Sequence, residues 1–142
     1  MDITNGIHIV FDGGSKSNGS ANKGYGSFIT FSNGKKVKMS IMGNVVEQAH
    51  WDFPDSTSNE AEWKTCIMAL SYAYELILKN NKFLDITLHG DSANVIQGLS
   101  GGWKTKAENL MGLRERAERY AEITMAKFQQ EPRELIVKIL GH

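Results

Sequence analysis

The order of elements in the sequence predicts a mixed α/β fold, and three observations carry that expectation. Three extended segments come first, the last two joined by Asn33-Gly34, a strong hairpin signal. A long amphipathic helix follows, with its apolar residues on one stripe. Beyond it the pattern runs strand, helix, helix, strand. At 142 residues the chain is read as one domain, residues 1–142, large enough for a real hydrophobic core.

The first segment, Gly6–Asp12, carries Ile7, Ile9, Val10 and Phe11 as a buried strand. It ends on Asp12 and enters the small, bendable residues Gly13, Gly14, Ser15, Asn18 and Gly19, so residues 13–23 read as a strand-linking loop. The next two segments are Gly24–Phe31 and Lys35–Met42, and "HWDFPDSTS" reads as a loop. The long helix spans Ser58 to Lys79, with Trp63, Ile67, Leu70, Tyr74 and Ile77 along its stripe and a Thr57/Glu60 capping box at its start.

In "FLDITLHGD", Leu84, Ile86 and Leu88 alternate with Asp85, Thr87 and His89, which is a strand. A short helix covers Ser92–Leu99 and a longer one Ala107–Gln129, whose "RERAERYAE" is a solvated face. The last strand is "ELIVKIL", residues 134–140. A crossover through the long helix lays the fourth strand parallel to the first, with the usual right-handed sense. Asp12 and Asp91 then stand at the carboxyl ends of neighbouring strands, where open α/β sheets bind ligands.

Composition narrows the function classes. Apolar residues at 41% and charged residues at 23% suit a soluble globular protein. No apolar run approaches a membrane span, and "MDITNGIHIV" lacks the features of a signal peptide. The expectation is a cytoplasmic protein with no membrane partner. Cys66, the single cysteine, forms no internal disulfide, and no Cys/His cluster suggests zinc. Sixteen basic residues balance sixteen acidic ones, so net charge neither indicates nor excludes a nucleic-acid partner.

Three carboxylates stand out: Asp12, Glu62 and Asp91. Taken singly, Glu62 fits a solvated residue near a helix start, and Asp91 fits a cap on the helix beginning "SANVIQ". Taken together, on two strand ends and one helix start, they fit ligands to Mg²⁺, a hard cation that wants oxygen donors.

"DGGSKSNG", "TSNEAEWKTCIMAL" and "GDSANVIQGLSGGWKTK" resemble the three sequence blocks of the ribonuclease H family, in the right order. The resemblance runs from about residue 7 to 106, and "GxWxxK" without a long basic insertion is similar to the compact, archaeal-like branch of type 1. It implies a five-stranded mixed sheet, order 3-2-1-4-5, flanked by helices. It also implies an endoribonuclease that cleaves the RNA strand of RNA–DNA hybrids by two-metal-ion hydrolysis. Asp12, Glu62 and Asp91 match the metal ligands, with Mg²⁺ as cofactor and Mn²⁺ as substitute. Asn18 and Asn59 match contacts to the hybrid, Ser15 falls near a position that grips a DNA phosphate, and Gly13 and Ser92 join the substrate-binding set. Trp103 matches a residue against a deoxyribose, its other reading being an anchor of the loop to the core, and Lys104 and Lys106 stand where phosphates would be met, their other reading being plain solvated lysines.

The sequence departs from the family pattern at three places. Ser58 replaces the first asparagine of the "TNN" block, which shortens one minor-groove contact. Glu60 stands beside it, either facing the duplex or engaged in the cap. The family's fourth carboxylate, an aspartate opening a final helix, has no counterpart, because the reading passes from the strand at 134–140 straight to "GH". That predicts a chain without the C-terminal helix, either shortened or a natural minimal form, with Asp55 and Glu60 as stand-ins for the missing acid. His142 matches a histidine that aids product release, a frayed terminus being its other reading. Losing one ligand predicts weak activity with Mg²⁺, improved by Mn²⁺. The other function class this admits is a noncatalytic or weakly active hybrid-binding module.

Overall fold

The computed structural model describes residues 1–18, 21–102 and 107–141, the side chains of 17, 18 and 21 excepted. The elements run β1 (Ile7–Asn18), β2 (Ala21–Ser32), β3 (Lys35–Lys36), β4 (Met39–Ile41), β5 (Asn44–Val46), β6 (Gln48–Pro54), α1 (Ser58–Asn80), β7 (Ile86–Gly90), α2 (Ala93–Ser100), α3 (Glu108–Thr124), β8 (Lys127–Gln130) and α4 (Arg133–Leu140). The main sheet is six-stranded in the order β3-β2-β1-β7-β8, with β6 also paired to β2. It is mixed as expected: β1 and β2 are antiparallel, and β1 and β7 are parallel with Val10 opposite His89. The path is the predicted 3-2-1-4-5 order with one strand added.

That strand is β6, which lies where the sequence suggested a loop. Ala49, Trp51 and Phe53 alternate with Gln48, His50 and Asp52, and the strand pairs with Lys23–Ile29 of β2. Pro54 lacks an N–H and closes the strand, as an edge position permits. The expected strand Lys35–Met42 is split into β3 and β4 at Val37 and Lys38, where Val37 N donates to the Thr30 carbonyl, and Met42 (φ 49°) and Gly43 (φ 84°) then make a turn that folds β5 back on β4. The expected loop at 13–23 is also corrected. β1 and β2 continue in register to Asn18 opposite Ala21, forming a long hairpin arm.

The C-terminal third differs most. α3 stops at Thr124 because Met125 adopts a left-handed conformation (φ 56°), and the chain then enters β8 beside β7. Residues 134–140 are helix, not strand. Pro132 occupies the N-cap, Glu134 lies in the first turn, and Gly141 at φ 82° caps the end with its N–H on the Val137 carbonyl. Ile136 and Leu140, one turn apart, are the buried pair of this helix. The final helix expected to be absent is therefore present.

The sheet has two covered faces. Ile9, Phe11, Phe28, Ile86 and Leu88 face a core shared with Trp63, Cys66 and Leu70 of α1, Val95 and Ile96 of α2, and Leu110 and Ala117 of α3. Val10 and Ile29 face Ile136 and Leu140 of α4. Each of these buried aliphatic side chains contributes about 1.5–3 kcal/mol relative to exposure. The capping box forms as predicted, with Thr57 Oγ1 accepting from Glu60 N and Glu60 Oε1 from Thr57 N. Trp51 stacks on Phe28 at 5.5 Å between ring centres. Among the described residues no helix is long and apolar enough to cross a membrane.

α1 presses on the sheet so closely that two strand positions admit no side chain. A Cβ on Gly26 would lie 1.8 Å from Thr65 Oγ1. Gly26→Ala should cost about 2 kcal/mol by overpacking. Urea denaturation of Gly26→Ala, Thr65→Ala and the double variant should show the double losing less than the sum of the singles. Additive losses would mean the contact is not what forbids the side chain.

Candidate active site

The site forms where β1, β7, α1, α2 and α4 meet. The β1–β7 register ends at Val10 opposite His89, so Asp12 and Asp91 lie two residues further along each strand direction, side by side. Asp12 is 3% exposed, and it follows the phase of Val10 toward α4. Glu62 enters from the start of α1. Gly13 makes this approach possible, because a Cβ there would meet the Ala61 carbonyl oxygen at 2.6 Å and Glu62 N at 2.8 Å.

Ser92, the N-cap of α2, fixes Glu62. Its hydroxyl donates to Glu62 Oε2 at 2.6 Å while its oxygen accepts from Val95 N at 3.4 Å. Nearby, Asn94 Nδ2 donates to Asn59 Oδ1 at 3.3 Å and ties the start of α2 to the start of α1.

Arg133, in the first turn of α4, completes the cluster. Its Nη1 donates to Asp12 Oδ2 at 2.8 Å and to Asp91 Oδ2 at 2.9 Å. Its side chain is 50% exposed, so one flank of the guanidinium meets solvent. Burial pushes the Asp12 carboxyl up to about 6 and the charge of Asp91 adds to this, while the hydrogen bond from Arg133 pulls the other way. Glu62 is raised chiefly by burial, with Asp91 and Asp12 adding to it and the Ser92 bond opposing. The two carboxylates in turn hold the Arg133 guanidinium more firmly protonated.

Behind the acids, His8 Nδ1 lies 2.8 Å from His89 Nε2, and His8 Nε2 donates to the Asn5 carbonyl at 2.7 Å. Burial, then the neighbouring His8, pushes His89 down to about 4, so it is neutral at physiological pH. Glu131, also buried, receives Gln129 Nε2 on Oε1 at 2.9 Å, and its N–H donates to the Gly90 carbonyl.

Of the residues singled out from the sequence, the fold gathers Asp12, Glu62, Asp91, Gly13 and Ser92. Ser92, not Asp91, caps α2. Ser58 and Asn59 are exposed at the start of α1. Ser15 lies on β1 with its hydroxyl buried and without a hydrogen-bond partner in the structure. Asn18 ends β1 with its side chain outside the description, and Trp103, Lys104, Lys106 and His142 lie outside the described residues. Neither proposed stand-in for the fourth acid serves that purpose. Glu60 spends its carboxylate on the capping box, and Asp55 sits exposed in the turn before α1 with its N–H on the Asn22 carbonyl. α4 opens with Pro132, Arg133 and Glu134 and carries no aspartate. Sequence reading passed over Arg133. The available signal was a cation in the first turn of a helix, where the dipole disfavours it and a specific anionic partner is the ready explanation.

The donors are all oxygen, the set a hard divalent cation takes. A charged nitrogen already sits between two of them as a stand-in cation, so Asp12 and Asp91 fit a shared positive charge. Among the described residues, no group of three or more His, Cys, Asp or Glu is arranged as a ready metal cage.

No family model matches the chain. A curated ribonuclease HI of Halobacterium salinarum is 33% identical over 112 residues, 78% of this chain and 48% of that protein, so the chain spans about half the length of the curated relative it matches. The crystal structure of RNase H1 from Halobacterium salinarum NRC-1 superposes with a TM-score of 0.69 at 27% identity, covering 92% of this chain and 88% of that one. LC11-RNase H1 in complex with an RNA/DNA hybrid gives 0.66 at 22% identity, over 93% and 89% of the two chains. The N-terminal RNase H domain of a Mycobacterium tuberculosis protein gives 0.70 at 19%, over 93% and 87%. The last two likenesses concern the fold alone.

The raised Asp12 carboxyl has a measurable sign. A carboxyl whose folded pKa exceeds its free value binds its proton more tightly when folded, so its contribution falls as pH rises from its ordinary 3.8 through about 6. With chelator present, wild-type protein should lose on the order of 2–3 kcal/mol relative to Asp12→Asn across that window. Denaturant titrations at several pH values test this, and a constant gap between the two proteins would sink the argument from burial.

Proposed function

The chain belongs to the ribonuclease H family, type 1, and from that premise we propose that it cleaves the RNA strand of RNA–DNA hybrids by metal-assisted hydrolysis. One observation carries the reading. Asp12 and Asp91 stand side by side at the ends of parallel strands, with Glu62 delivered beside them by α1. The RNA/DNA hybrid bound by LC11-RNase H1 supports the substrate class.

Asp12, Glu62 and Asp91 would hold the divalent ions, Mg²⁺ or in its place Mn²⁺. When bound, such ions activate a water and stabilise the leaving oxygen of an in-line displacement. The protein's own groups do the rest. Ser92 holds the Glu62 carboxylate in one orientation through its 2.6 Å bond. The exposed Ser58 and Asn59, with Asn59 steadied by Asn94, present short polar groups to the minor groove, where the 2′-hydroxyl distinguishes RNA from DNA. Asn18 lies on the hairpin arm that β1 extends beyond Asp12, a place from which it would meet the hybrid, whereas the buried Ser15 hydroxyl is not open to a DNA phosphate as the arm stands.

α4 is present but brings no aspartate to the acids, so cleavage is expected to be weak with Mg²⁺ and stronger with Mn²⁺. An end-labelled RNA–DNA hybrid tests the proposal. RNA-strand cleavage should appear in Mn²⁺ and fall by roughly a hundredfold or more in Asp91→Asn. Hybrid binding without cleavage in either ion would instead favour the noncatalytic module, for which the neutralising Arg133 is the specific argument.

Ser92→Ala separates positioning from substrate affinity. It should lower kcat about tenfold and leave KM within about twofold, because Ser92 acts on Glu62 in the bound complex. A loss confined to KM would place Ser92 against the substrate instead.

A further inference from the structure

We propose that Arg133 is a built-in cation lock on the acid pair: its guanidinium and a divalent ion compete for Asp12 and Asp91, and the site takes up metal only as Arg133 swings out. This rests on the reading that these acids hold a divalent ion.

The geometry carries the inference. A single nitrogen, Nη1, accounts for both bonds, at 2.8 Å to Asp12 Oδ2 and 2.9 Å to Asp91 Oδ2. One oxygen from each of the two carboxylates that would hold a shared ion is therefore taken by one protein cation. Asp12, 3% exposed, has no solvent-facing side from which to serve a second cation at once. A guanidinium beside a divalent ion would also add like-charge repulsion in a poorly solvated place.

The lock is built to open. α4 is anchored away from the acids, by Ile136 and Leu140 against Val10 and Ile29 and by Gln48 Nε2 on the Leu140 carbonyl at 3.0 Å. The helix can stay in place while the Arg133 side chain turns toward the solvent that already covers half of it. Arg133 also sits at the wrong end of the helix for a cation by the dipole rule, and its two aspartates are what compensate. Without metal, Arg133 relieves the repulsion between Asp12 and Asp91. With metal, that same relief must be given up.

Calorimetric titration of Mn²⁺ into the whole chain, without nucleic acid, tests this in wild type, Arg133→Gln and Lys138→Gln. Lys138 is an exposed cation in the last turn of α4 and controls for net charge. Arg133→Gln should bind Mn²⁺ about tenfold more tightly than wild type, with Lys138→Gln unchanged. The metal-free Tm should drop in Arg133→Gln, and Mn²⁺ should raise it by more than in wild type. Equal or weaker binding by Arg133→Gln overturns the lock while leaving the metal reading in place. Absence of Mn²⁺ binding in both proteins overturns the two together. If Arg133→Gln does not fold, Arg133→Met decides. It keeps an apolar stem but carries no charge to set against Asp12 and Asp91, so it should bind Mn²⁺ more tightly than wild type, and unchanged affinity there would equally overturn the proposal.

Discussion

The parallel register of β1 and β7 is the constraint on which the rest of the molecule depends. With Val10 opposite His89, the two chains leave the sheet in the same direction, and the aspartates two residues later become neighbours. An antiparallel pair would have sent them to opposite ends. Parallel pairing demands a crossover, and the crossover contains α1. The same connection that makes the register possible therefore delivers Glu62 to the strand ends. Gly13 and Gly26 then set how near it comes, since the helix backbone and Thr65 occupy the space where side chains would stand.

Gathering three carboxylates in this way is electrostatically unfavourable, and the surrounding groups answer that cost. Ser92 gives Glu62 a hydrogen bond, and Arg133 gives Asp12 and Asp91 a common positive charge. Burial still outweighs these contacts at Asp12, whose carboxyl remains raised to about 6. The acidic centre is thus a strained arrangement held by a stable scaffold, a common division of labour at functional sites. The neighbouring His8–His89 contact lies on the same side of the sheet but contributes no charge from His89, which burial keeps neutral.

What was legible in the sequence was what rests on local chemistry. The Thr57/Glu60 box marks the start of α1, and alternation marks β7. The three acids, each ambiguous alone, became readable through their order on these elements. What was missed depends on partners distant in sequence. β6 carries a proline, a histidine and an aspartate, and pairing with β2 is what makes it a strand. β8 follows a left-handed Met125, a residue with no turn signature. "ELIVKIL" is apolar and β-branched enough to read as strand, yet its Pro132 and Gly141 boundaries and the Ile136–Leu140 spacing make it helix. That error hid Arg133, because an arginine before a strand draws no notice while one opening a helix does.

The margins of the main sheet have a bearing on behaviour in concentrated solution. On one side the last strand, β8, is four residues long, and Lys127 on it reaches out to Asp85 at 3.0 Å. On the other side β6 ends in Pro54 and bears the exposed His50 and Asp52, while β3 covers two residues of β2. Unpaired strand edges are templates for further strands, and brevity, charge and proline are the usual means of blunting them. The margins at β8 and β6 thus present little backbone on which a second copy could add a strand.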